Sequence, residues 1–327
     1  MGRVGLVHFL GGALLLAALI AGIRLRIPVV AAAGVIAVAG LIGWLGSRIT
    51  RLRGAGIAAA GLFASMPLVL LQARAQTVAT WLVVTGWLVV MERFSRTRDW
   101  RWLAAAAVIL GLGTGISGLA FVVMPALALG TGIILLFVVE PPPSAGSLLL
   151  AAAAGLIAVL PLALYVLLHP EWLTVRVTAH GLYDAQRFNP LQGLREITSW
   201  VGLTARSETY WHYLDPAFLF ISGSVFLAPA AVLLPLGAAR AVVAPRLISA
   251  LALMGFAVAP LAGALLVRGP LPSRAIVAAP VAAVLMTCAL AFLRNGGRWR
   301  RCTAYALLVA MVVGTTLFAW TATPLVP

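Results

Sequence analysis

The apolar positions of this chain fall in runs close to the length that crosses a bilayer, about 20 residues. The runs cover residues 4–22, 28–46, 55–71, 76–91, 102–115, 119–139, 148–168, 217–237, 247–267, 275–293 and 303–321. Short turns carrying arginine, proline or glycine separate them. The pattern predicts an all-α fold, a single polytopic transmembrane helix bundle over residues 1–327 with 10–11 helices. The first run either spans the membrane or lies in the interface. One long polar interval, from His169 to Asp215, interrupts the series. It holds Glu171, Asp184, Glu196, Glu208 and Asp215, and the histidines His169, His180 and His212. Within it, Asn189-Pro190 reads as an N-cap and first helical residue. Leu191, Leu194, Ile197 and Val201 follow at helical spacing, so an amphipathic helix is expected over 190–202, at the membrane surface or over a cavity mouth.

Composition sharpens this reading. The chain is 63% hydrophobic and only 9% charged, whereas a soluble surface needs roughly a quarter or more of its residues charged. A net charge of +15 does not point to nucleic acid, because no basic patch is interleaved with aromatics. In a membrane protein, arginine-bearing turns are the orientation signal. With Arg3 placed inside and the runs alternating, fourteen of the twenty-three basic residues fall in inner turns and five in short outer turns. The 169–216 loop is then external, and the protein is expected to be multi-pass with its N-terminus inside and its active face outside.

Local motifs narrow the chemistry. The string Gly113-Thr114-Gly115-Ile116-Ser117-Gly118 matches a dinucleotide fingerprint literally, but that reading needs a preceding strand. Between two apolar runs it reads as a tight turn or close helix packing, with Gly111 and Gly115 as a small-residue pair. Cys288 and Cys302 do not suggest a disulfide framework, and no spacing of Cys or His suggests a metal site. Arg24, Arg74, Arg268 and Arg274 fall in outer turns. They read either as headgroup anchors or as a site for a lipid-linked phosphate, since guanidinium groups match phosphate oxygens in a forked geometry. Asp184 and Glu196 are the candidate bases. No acid lies well inside an apolar run, which argues against a proton- or cation-coupled transporter.

Several strings carry a resemblance. Tyr213-Leu214-Asp215-Pro216-Ala217-Phe218-Leu219-Phe220, ending in Gly223, resembles a segment of bacterial GT-C glycosyltransferases, the membrane enzymes related to protein O-mannosyltransferases and aminoarabinose transferases. Arg24-Leu25-Arg26-Ile27-Pro28 with Gly34, Met66-Pro67 to Gln72-Ala73-Arg74, Arg98-Asp99-Trp100-Arg101-Trp102-Leu103 with Gly111-Leu112-Gly113, and Leu271-Pro272-Ser273-Arg274-Ala275 with Pro280 resemble further pieces in the family's order. The chain departs from the pattern at Ser224, where the family has an acid, and at Pro272-Ser273, where it has Pro-His.

The resemblance implies sugar transfer from a polyprenyl-phosphate-linked donor to a glycan, lipid or protein acceptor at the outer face of a bacterial inner membrane. The displacement would invert the anomeric carbon. A carboxylate would deprotonate the acceptor, and arginines or a divalent metal would stabilise the departing phosphate. Arg74, Arg274, Arg268 and Arg24 are then the lipid-phosphate residues, and Tyr210, His212, Tyr213 and Asp215 lie on the acceptor side. The family's catalytic acid follows its first transmembrane helix, but no acid occurs here before Glu92. The chain is therefore expected to be N-terminally truncated or to lack the usual catalytic acid. The other readings are a non-catalytic membrane subunit that binds lipid-linked glycan and a transporter or flippase of polyprenyl lipids.

Overall fold

The computed structural model describes residues 3–52, 54–169, 171, 192–193, 195–196, 199–222, 225–265 and 271–322. Among them every regular element is helical. This is what hydrocarbon demands: backbone N–H and C=O groups find no water there and must pair within their own segment. The long helices are α1 (Arg3–Arg24), α2 (Val29–Thr50), α5 (Ala75–Thr97), α7 (Gly118–Phe137), α8 (Ala145–Leu168) and α14 (Arg298–Thr321). Shorter ones are α3 (Ala55–Ala64), α4 (Pro67–Gln72), α6 (Trp100–Gly113), α9 (Trp200–Leu214), α10 (Ala230–Val243), α11 (Leu247–Val258), α12 (Leu261–Ala264) and α13 (Ala278–Arg294). Among the described residues, seven helical segments are long and apolar enough to cross a membrane, counting α11 and α12 as one. Apolar helices α3, α6, α10 and α13 pack among them. The protein is an all-α polytopic bundle, and α1 is one of these seven candidate spans.

Three predicted runs are broken in the structure, each at proline. Run 55–71 divides at Ser65-Met66 because Pro67 opens α4 as its first residue. The Leu68 N–H finds the Val225 carbonyl at 3.3 Å, so the break leaves that donor satisfied. Run 217–237 becomes a π-helical turn (Ala217–Ile221) and an irregular passage before α10, which Pro229 precedes. Pro260 separates α11 from α12. Irregular backbone inside a membrane domain is tolerated where it is buried in protein, and Val225 and Phe226 in the second break are fully buried.

The helix ends sort into two groups. Arg96 Nη2 reaches the Arg48 carbonyl at 3.4 Å, Arg98 Nη2 the Glu140 carbonyl at 3.2 Å, and Arg246 Nη1 the Ile49 carbonyl at 3.0 Å. These contacts gather the turns after α2, α5, α7 and α10 at one arginine-rich end. Arg51 and Arg98 themselves close α2 and α5 in the left-handed conformation, placing cations at the negative ends of the helix dipoles. At the opposite end Arg24 lies over the Trp320 ring, 4.2 Å from its centroid, joining the end of α1 to the end of α14. The buried carboxylate of Glu92 is at the arginine-rich end, held by Arg96 at 2.6 Å and the Ser95 hydroxyl at 3.0 Å.

Glycine sets the closest helix contacts. A Cβ on Gly111 would lie 2.7 Å from the Gly155 carbonyl of α8, while one on Gly115 would meet nothing closer than the Leu112 carbonyl at 3.9 Å, and Gly115 belongs to the turn. The literal fingerprint at 113–118 is therefore a helix-to-helix turn, with Ser117 capping α7 by accepting from the Ala120 N–H.

This arrangement puts Gln192, just before α9, and Arg298, at the start of α14, at opposite ends. Gln192→Cys and Arg298→Cys in a Cys288→Ser/Cys302→Ser background are expected to react with an impermeant thiol reagent from opposite faces of sealed vesicles. Labelling of both from the same face would contradict the fold.

Candidate functional site

Helix α9 lies across the end of the bundle away from the arginine-rich turns. Ser199 starts it by accepting the Gly202 N–H at 3.1 Å. Gly202, Tyr210 and Tyr213 face the bundle, whereas Trp200, Val201, Leu203 and Trp211 are exposed. Tryptophan on the outward side suits the headgroup level, where one part of the ring is wet and the rest apolar.

Two tyrosines three residues apart share the inward face and fasten α9. The Tyr210 hydroxyl donates to the Ala257 carbonyl at 2.8 Å, one of the carbonyls left without an intrahelical partner at the end of α11. Tyr213 is 1% exposed. Its hydroxyl accepts the Leu271 N–H at 3.1 Å and is hydrogen-bonded to Arg274. Its ring stacks edge-on against Phe218, centroids 5.3 Å apart. Gly263 in α12 lies directly beneath that ring, and a Cβ there would collide with it. Burial pushes the Tyr213 phenol above the ordinary tyrosine value, while the Leu271 N–H and the Arg274 charge pull it down. A neutral phenol therefore faces the guanidinium.

Arg274 is half-buried in a short 3-10 turn (Pro272–Arg274) that touches α4. Arg74 stands exposed two residues beyond α4, at the N-cap of α5. The two arginines thus sit on adjoining elements at one end. Arg24 ends α1, which also touches α4. Its guanidinium covers Trp320 and donates to the Trp320 carbonyl at 3.4 Å, the geometry of an anchor at headgroup depth. Arg268, Asp184 and His180 lie outside the described residues.

The remaining candidates have local partners. The Asp215 carboxylate accepts the Ala217 N–H at 2.8 Å and starts the π-helical turn. His212 is exposed, its ring 6.2 Å from that of Phe218. His169 Nδ1 and Glu171 Oε1 are 3.1 Å apart. Glu196 is exposed, and its backbone carbonyl accepts from the Ser199 N–H and hydroxyl. No group of three or more His, Cys, Asp or Glu among the described residues is arranged to hold a metal ion.

Of the amphipathic helix expected over 190–202, positions 190, 191, 194, 197 and 198 lie outside the described residues, while 192–193 and 195–196 are helical. The regular helix begins at Trp200 and runs through the Tyr210–Leu214 stretch. Val201, expected on its apolar face, is 77% exposed, while Leu191, Leu194 and Ile197 lie outside the described residues. In α9 the face turned to the bundle carries Gly202, Tyr210 and Tyr213. Sequence reasoning also missed Ala257, Gly263 and Leu271. The signal for them was two tyrosines three apart in an otherwise polar segment, since each buried phenol needs a partner.

Comparison of the chain with protein-family models and with curated proteins finds no match.

Replacing Tyr213 with Phe leaves the Leu271 N–H without its acceptor and removes a partner from Arg274, at a cost of about 1–3 kcal/mol. Unfolding in detergent is expected to show that loss between pH 6 and 9. The raised phenol pKa stabilises the folded state below the ordinary tyrosine value of about 10, and that contribution disappears as the pH rises through the folded value. The gap between wild type and Tyr213→Phe should therefore narrow above about pH 10. An unchanged unfolding midpoint at pH 7 would show that the contact is not structural.

Proposed function

We propose that this is a GT-C-like membrane glycosyltransferase scaffold whose Tyr213–Arg274 end binds a polyprenyl-phosphate-linked sugar at the outer face. The observation that carries the reading is the half-buried Arg274, hydrogen-bonded to a buried phenol under a surface helix, with Arg74 on the adjoining element. A guanidinium held in place loses little freedom when it binds a phosphate, and a polyprenyl tail can remain in the bilayer beside it. The strings that resemble GT-C enzymes at residues 66–74, 213–223 and 271–280 surround this end. The positive-inside rule assigns the arginine-rich end to the cytoplasm, which makes α9 extracytoplasmic in a bacterial inner membrane.

In the catalytic reading, the acceptor is a glycan, lipid or protein hydroxyl. A carboxylate removes its proton as the oxygen attacks the anomeric carbon, and the arginines stabilise the departing phosphate. Glu196 and Asp184 are the candidate bases. A second reading, a non-catalytic binder of lipid-linked glycan, gains support from how the other acids are placed. Glu92, Asp99 and Glu140 belong to the opposite end, where the first two hold Arg96 and cap α6, while Asp215 caps a turn and Glu171 faces His169; Glu208, exposed on α9, is the acid on the site's own helix.

Arg274→Ala and Arg74→Ala are each expected to weaken polyprenyl-phosphate binding by the purified protein about tenfold, in keeping with the roughly 1.5–3 kcal/mol of a charge-assisted contact. Undiminished binding in both variants would reduce these residues to headgroup anchors. Sugar transfer by wild type, lost in Glu196→Gln or Asp184→Asn with binding retained, would select the enzyme reading. Binding without transfer would select the other.

A further inference from the structure

The arginine-rich end contains a cavity of about 200 Å³ sunk between α2, α10, α11 and α13. One water occupies roughly 30 Å³ in the liquid, so a hydrated phosphate group fits. Its lining includes Arg240, Arg246, Thr50, Ser249, Asn295 and Phe292, and no carboxylate. Arg240 is on the last turn of α10 and Arg246 caps α11. The chain between them is short, which fixes the two guanidinium groups at the mouth of one hollow. Arg246 Nη1 is anchored on the Ile49 carbonyl at 3.0 Å. Arg240 lies over the Phe292 ring at 5.1 Å, and Arg300 lies over the same ring at 4.9 Å. Among the described residues none of these three arginines forms an ion pair with a carboxylate.

An orientation signal requires only that arginines be in a turn. It does not require two of them around a polar hollow. Two cations that line one hollow with no carboxylate in its wall repel one another, and an anion relieves that repulsion. The guanidinium forks and the Asn295 side chain are donors suited to phosphate oxygens.

We propose that this cavity is a second anion site that takes a phosphate group, either the headgroup of an anionic phospholipid from the adjacent leaflet or free inorganic phosphate. It is separate from the Tyr213–Arg274 end and does not depend on the glycosyltransferase reading. Basic pockets between transmembrane helices are a recognised form of lipid-headgroup site.

The test uses the full chain in phosphatidylcholine nanodiscs doped with phosphatidylglycerol, with lipid retention read by native mass spectrometry, and a parallel thermal-shift titration with inorganic phosphate. Arg240→Gln/Arg246→Gln is expected to lower phosphatidylglycerol retention or phosphate stabilisation about tenfold. Ala244→Trp, which fills the cavity mouth and leaves both arginines in place, should do the same and guards against a folding defect in the first variant. Arg93→Gln, at the same end but beside Trp44, should behave as wild type. Retention of lipid without a response to phosphate assigns the headgroup, and a phosphate response assigns the free anion. Equal losses in Arg93→Gln and the cavity variants, or no preference of wild type for either anion, would overturn the proposal.

Discussion

The bundle depends on how closely other helices can approach α13. This helix begins with Ala278-Ala279-Pro280 and is buried along most of its length, with alanines and valines making up much of its surface. It packs against α2, α3, α5, α10, α11 and α14. Lipid tails are as apolar as leucine, so helices in a bilayer gain little from hiding apolar area and associate through close packing. Small residues permit it. Gly237 of α10 lies against the Leu285 carbonyl, leaving no room for a Cβ, and Gly46 of α2 sits 3.3 Å from the Thr287 side chain on the same measure. The Trp81 indole donates to the Ile276 carbonyl at 2.7 Å, which satisfies a buried N–H and fixes the approach to α13.

The same helix joins the two charged ends. Arg274 lies a few residues before its first turn, and Cys288, Phe292 and Asn295 line the cavity at its far end. Before Arg294 in its last turn, the helix carries no ionisable group other than the Cys288 thiol. The buried Thr287 hydroxyl returns to the Ala283 carbonyl of its own helix. Along this helix, then, the charged side chains stand at the two ends, with apolar packing between them.

Much of this was legible in the residues. Run length alone gave the helices, because spanning hydrocarbon is a length requirement, and the arginine distribution grouped their ends. The breaks at Pro67, Pro229 and Pro260 were harder to place. A proline in an apolar run can kink, start or end a helix, and only the neighbouring chain decides, as Val225 does for Leu68. At the candidate site, Arg74 and Arg274 were legible as turn arginines. The contact of Arg24 with Trp320 was not, because the two are 296 positions apart. The tyrosine latch was hidden for the same reason: Leu271 is 58 residues beyond Tyr213, and the small residue under the ring is only one of many glycines.

The central claim is that a lipid phosphate binds where Arg274 is held by Tyr213 beneath α9. A cryo-electron-microscopy map of the full chain in nanodiscs with added polyprenyl phosphate tests it most directly. The account predicts density for a phosphate within hydrogen-bonding distance of the Arg274 guanidinium, with the chain descending into lipid beside the α9 end of the bundle. Phosphate density found only at the arginine-rich end, or an α9 end that stays empty with ligand present, would contradict it.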